Sequence, residues 1–158
     1  MGQRADSAKA MNQERLDRIA DTLREDSCNY SVFLKVYQVP NAAPADSVSA
    51  IRNALGAEAE PVDLDGIQAE AVWSEVESAL LYAGNDWAGP SEVALGSAPL
   101  AVMLAELKDD VFALASRATT IERFALREGH PAYPVFWDFA FLFREEEKAS
   151  VFIGSSSD

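Results

Sequence analysis

The pattern of apolar residues predicts an α+β domain: N-terminal and central helices packed on one face of a small antiparallel sheet that ends in a C-terminal β-hairpin. Three observations carry this. Helical spacing of apolar residues recurs from Met11 to Leu114. The most regular period-two stripe, Val135, Trp137, Phe139, Phe141 and Phe143, lies close to the C-terminus. Strands and helices do not alternate as parallel-sheet units would require.

The elements follow in order. Met1–Ala10 is small and polar without the apolar core of a secretory signal, and is set apart as a disordered arm or an expression remnant with no assigned function. Residues 11–158 are taken as a single domain, because a chain of 158 residues with 49% apolar composition holds one core and little more. Met11, Leu16, Ile19, Ala20 and Leu23 form a helical stripe over Met11–Asp26. Tyr30–Val39 is rich in β-branched and aromatic residues, apolar on both faces and closed by Pro40-Asn41, which predicts a well-covered strand. Ser47–Leu55 reads as a short helix with Asp46 as N-cap and Gly56 as its stop. Ala57–Gly66, with alternating acids, Pro61 and Gly66, reads as a loop. Val72, Val76, Ala79 and Leu80 predict a helix over Ile67–Ala83, ended by Gly84. Asn85–Ser97 is a loop or a loop with one helical turn. Ser97 then caps a helix that carries Pro99 in its first turn and Leu100, Leu104, Leu107, Val111 and Leu114 on its stripe.

Thr119–Glu128 supports two readings. Thr119 and Glu122 match a capping box and Gly129 a helix end, while Thr120, Glu122, Phe124 and Leu126 alternate as in a strand; the helix is preferred. Tyr133–Phe143 is the clearest strand, Glu145–Lys148 a charged turn, and Ala149–Ile153 the returning strand.

Charge is the most informative feature. Thirteen basic against 26 acidic residues give a net charge of −13, which excludes direct contact with a nucleic-acid backbone. From Arg52 to Lys108 no basic residue intervenes, while Glu58, Glu60, Asp63, Asp65, Glu70, Glu75, Glu77, Asp86, Glu92 and Glu106 are acidic. Such a stretch is either a solvated face that keeps the protein in solution or a docking surface that steers a basic protein partner. Trp87, between Asp86 and Gly89-Pro90, has the character of an interface anchor, although a Trp there also tucks readily over a core.

Other chemistry is thin. One His and one Cys exclude a zinc site and an intramolecular disulfide, and no phosphate-binding, dinucleotide or hydrolase motif occurs, so neither metal nor cofactor is expected. Asp63-Leu64-Asp65-Gly66 resembles a fragment of a calcium loop, but aligning Gly66 with the loop glycine puts Pro61 and Val72 at ligand positions. Cys28 follows a helix end instead of opening a helix and reads as an unreactive thiol. His130, in the turn Gly129–Pro134, is the one candidate general base. Asp138 interrupts the aromatic strand on its other face and calls for a partner among Arg117, Arg123, Arg127 and Arg144. Together His130, Tyr133, Asp138, Arg123 and Arg127 outline a possible pocket.

The reading preferred on these grounds is a non-enzymatic, acidic cytoplasmic domain that docks a basic protein partner, in the manner of inhibitors, immunity proteins or chaperones. The lone cysteine places it in a reducing compartment, and no apolar run is long enough for a membrane span. The alternative is a small enzyme or ligand-binding domain using the His130–Asp138 pocket. A homodimer formed by an open hairpin edge at Val151 and Ile153 is the third.

Overall fold

The computed structural model describes residues 11–40, 46–127 and 134–158. Among these, the helices are α1 (Gln13–Arg24), α2 (Ser47–Leu55), α3 (Ala69–Leu80), α4 (Glu92–Leu95) and α5 (Ala98–Arg117). The strands are β1 (Ser31–Pro40), β2 (Pro61–Gly66), β3 (Thr120–Leu126), β4 (Trp137–Arg144) and β5 (Lys148–Ser157), in one antiparallel sheet of order β1-β5-β4-β3-β2. This is the expected α+β class with a C-terminal hairpin, whose turn is closed by the Glu145 amide donating to the Lys148 carbonyl at 2.8 Å.

Local chemistry sets the helix ends. Side-chain oxygens of Asn12, Asp46, Ser91 and Ser97 each accept a bond from the backbone N–H three residues on, satisfying donors that a helix start leaves orphaned. At Asp46 the bonds from Ser49 also hold the carboxyl below the usual carboxylate range. The buried stripe of α1 is Leu16, Ile19, Ala20 and Leu23, the spacing expected of one face pressed on a sheet.

The two sheet faces are covered unequally. Helices α1, α3 and α5 pack over the aromatic face, where Leu34, Phe139, Phe141, Phe143 and Phe152 meet Leu16, Val76 and Leu107. Phe139 lies 5.0 Å from Phe152 edge-on and 5.6 Å from Phe141, ring geometries that add to simple burial. Opposite Phe139 in the ladder stands Gly154, and a Cβ there would fall 2.5 Å from the Phe139 ring and 2.8 Å from Leu34. The other face is covered by the short α2, whose Ala50 and Ile51 meet Phe124, Leu142, Val151 and Ile153. Helices therefore lie on both faces, α1, α3 and α5 on one and α2 on the other.

Four expectations are corrected. Pro61–Gly66 is an edge strand, β2, not a loop: Pro61, a register shift between Val62 and Asp65, and Asp63 at φ 57° are features that blunt a sheet edge and read as loop signals in sequence. Residues 120–126 are a strand, β3, because neighbours on both sides, β2 and β4, satisfy its backbone. Val151 and Ile153 have no open edge, since β5 sits between β1 and β4 and is bonded on both sides. Val135 does not continue the buried aromatic stripe; it precedes β4 and is 56% exposed.

Candidate functional site

Trp87 is presented by a loop built to hold its shape. The Asn85 side-chain oxygen accepts bonds from the Trp87 and Ala88 amides at 2.8 and 3.0 Å, and the Asn85 N–H donates to the Ala88 carbonyl at 2.8 Å. Gly84 and Gly89 have positive φ and approach so closely that a Cβ on Gly84 would lie 2.3 Å from the Ala88 carbonyl oxygen, so only glycine fits. A two-bond bridge between Cys28 and Gly89, at 2.8 and 3.1 Å, ties the loop to the turn between α1 and β1. The Trp87 carbonyl accepts from the Cys28 thiol at 3.2 Å and from the Asn29 amide at 3.0 Å. The backbone is thus fixed while the indole is 80% exposed. Of the two sequence alternatives for Trp87, burial over the core is excluded. Cys28 is an exposed free thiol whose bonding here is structural.

The acidic residues are spread over several elements, from edge strand β2 to the Trp87 loop beside the entry to β1. Glu58 and Glu60 lie in the connection from α2 to β2, Asp63 and Asp65 on edge strand β2, Glu70, Glu75 and Glu77 on α3, and Asp86 beside Trp87; all are exposed except half-buried Glu75. Helix α3 has 12 residues and is about 18 Å long, so Glu70 and the Trp87 loop lie toward opposite ends of it. The arrangement is extended, not a single spot. Two of these carboxylates are paired within the chain, Glu75 with Arg123 and Glu60 with Arg127 at 3.2 Å. Where α3 ends, Leu81 is 41% exposed and lines a groove of about 400 Å³ with Leu95, Leu100, Leu104 and Glu77.

A second groove opens where two strands part. The β3–β4 ladder stops at Arg123 opposite Phe141, and beyond it Phe124 and Ala125 diverge from Trp137–Ala140. The space between, about 520 Å³, is lined by Ser74, Ser78, Tyr82, Arg123, Trp137 and Asp138 among others. Arg123 and Asp138 both line this groove, whereas Arg127 pairs with Glu60 and does not line it. His130 and Tyr133 lie outside the described residues. Asp138 is exposed, and the arginines considered for it hold other partners: Arg123 with Glu75, Arg117 with Glu145 at 3.4 Å, and Arg144 with the Ser47 hydroxyl at 3.3 Å.

Sequence reasoning missed one polar cluster. Asp110, 5% exposed, is held by Arg15, which also reaches Glu106 at 3.4 Å, so an ion-pair group joins α1 to α5. Burial pushes the Asp110 carboxyl up, only partly offset by the bond and charge of Arg15. Its signal was present: Asp110 falls on the apolar stripe between Leu107 and Leu114. Among the described residues no His, Cys, Asp and Glu form a group able to hold a metal ion, and no helix is long and apolar enough to cross a membrane. No protein family model, curated protein or solved structure matches the chain.

Proposed function

We propose that this chain is a non-enzymatic protein-interaction domain that docks a basic protein partner, with Trp87 as the apolar anchor and the acidic residues between Arg52 and Lys108 as the steering field. The observation that carries the reading is an indole 80% exposed on a loop whose backbone is pinned by the Cys28–Gly89 bridge and the Asn85 turn. A large aromatic side chain held outward on a fixed backbone loses little conformational freedom when it is buried by a partner, the usual condition of an interface hot spot. Glu58, Asp63, Asp65, Glu70, Glu77 and Asp86 are exposed and hold no ion pair among the described residues, and they add long-range attraction for a cationic surface.

The test is capture from a native lysate by the wild type, by Trp87→Ala and by the double reversal Glu70→Lys, Glu77→Lys. A basic protein is recovered by the wild type at low salt and lost at roughly half-molar salt, where the Debye length is a few Å. Trp87→Ala weakens that capture by at least about tenfold, the scale of a hot-spot truncation, and the double reversal slows association. Equal recovery by all three proteins would remove this face from the account.

The β3–β4 groove favours a second reading as a small-ligand site, because the Arg123–Glu75 pair, Asp138 and two serines line one concave surface. A ligand that raises the melting temperature of the wild type but not of Asp138→Asn would support it; a screen with no such ligand would count against it.

A further inference from the structure

We propose that the outer edge of β1 is a self-association edge of this chain and that the Gln13 side chain holds it closed. In β1 the Gln13 Nε2 donates to the Leu34 carbonyl at 2.7 Å, and the Val36 N–H donates to Gln13 Oε1 at 3.0 Å. A single side-chain amide thus occupies an acceptor and a donor that an added strand would use. A further bond from Nε2 to Asp17 at 2.9 Å fixes the amide's orientation. Main-chain N–H and C=O of one strand residue point to the same side, so the bonds at Leu34 and Val36 assign the even-numbered residues of β1 to the outward edge and the odd-numbered ones to the ladder with β5. Pro40 is even-numbered, and its missing N–H therefore costs no ladder bond.

The two edges of the sheet are protected by different means. Edge strand β2 is short and carries Pro61, a register shift and two aspartates. Edge strand β1 is ten residues long and regular, pairing with β5 from Ser31 to Pro40 without a shift. It lies in the stretch from Ser27 to Ala45, which has no carboxylate, and Lys35 is its one charged residue. A basic partner finds nothing to pair with there. A second copy, by contrast, can lay its own β1 alongside without bringing carboxylates together, in a molecule whose charge of −13 opposes contact almost everywhere else. The occupant that fits is therefore another β1, giving a sheet continuous across two chains.

The experiment is solution mass by light scattering on the full chain, with near-ultraviolet circular dichroism to verify the fold. The wild type has the mass of one chain, Gln13→Ala has twice that mass, and Gln13→Ala with Gln38→Pro returns to one chain. The added proline removes an outward N–H and leaves the β5 ladder intact. Should Gln13→Ala lose its native dichroism, Gln13→Met, which keeps the stem and deletes both polar atoms, replaces it. A folded Gln13 variant that stays at one-chain mass up to the solubility limit would overturn the proposal. A two-chain species indifferent to the proline, or a wild type already at two-chain mass, would overturn it as well.

Discussion

Replacing Arg15 by Met isolates the energetics of the α1–α5 ion pair. The substitution keeps the aliphatic stem and removes the guanidinium that holds Asp110, leaving a carboxylate of 7% side-chain exposure in an apolar helix interface. Breaking a buried pair from one side costs about 3–5 kcal/mol, and the lower end applies because the Arg15 side chain keeps 22% of its exposure and water reaches the pair from that side. A loss of about 3 kcal/mol corresponds to a fall in Tm of about 6–12 °C for a chain of this size. The pH dependence has a definite sign. The Asp110 carboxyl already lies above its ordinary value in the folded chain, so its ionised form opposes folding, and that opposition is relieved as pH falls through the raised folded value. Removing Arg15 takes away the two influences that lower it and raises it further. The stability difference between wild type and Arg15→Met is therefore largest at neutral pH and narrows as the pH falls toward the ordinary carboxylate range near 4. Urea denaturation of both proteins across that range measures it, and comparing them cancels the titration of the other carboxylates. A difference below about 1 kcal/mol at neutral pH, or one that does not change with pH, would refute the reasoning.

Two further outcomes follow from the core. Gly154→Ala places a Cβ within 2.5 Å of the Phe139 ring and is expected to destabilise the protein by about 1–3 kcal/mol in chemical denaturation, whereas Gly96→Ala, with 3.5 Å of room, serves as the neutral control. Tyr30 is 5% exposed and its hydroxyl accepts a 2.8 Å bond from the Trp137 indole; burial raises its pKa above the ordinary value near 10, so in an ultraviolet pH titration that Tyr30→Phe simplifies, its phenolate forms above the pH at which a solvated tyrosine ionises. Since the folded value is the higher one, stability falls once pH passes the unfolded value, and Tyr30→Phe reduces that alkaline loss while costing about 1 kcal/mol at neutral pH for the lost bond.

The helices were legible because their determinants are close in sequence. Asp46, Ser97 and Gly56 stand where capping chemistry requires them, and the stripes of α1 and α5 repeat at three and four residues. The alternation Trp137, Phe139, Phe141, Phe143 identified β4 for the same reason. Residues 120–126 deceived because a capping pattern and a strand alternation coincide there, and the choice rested on whether β2 and β4 lay beside them. At the candidate site, the run without basic residues from Arg52 to Lys108 and the place of Trp87 among turn formers are legible in the sequence, whereas the pairing of Glu75 with Arg123 and Glu60 with Arg127 is not. Nor is the exposure of the indole, since it depends on Cys28 and Asn29, which lie 58 to 59 positions away in the chain.

By itself the sequence determined the α+β class, the helix starts, the aromatic face of the sheet and the distribution of charge, all of which arise from side-chain spacing and local hydrogen bonds. Only the tertiary structure decided that β5 is bonded on both sides and β1 and β2 are edges, that Pro61–Gly66 joins the sheet, that Gln13 reaches β1 and that Arg15 reaches Asp110. The reason is physical. A helix satisfies its backbone within four residues, whereas a strand takes its partners from anywhere in the chain: Ser31 of β1 pairs with Ser157 at the other end of the molecule.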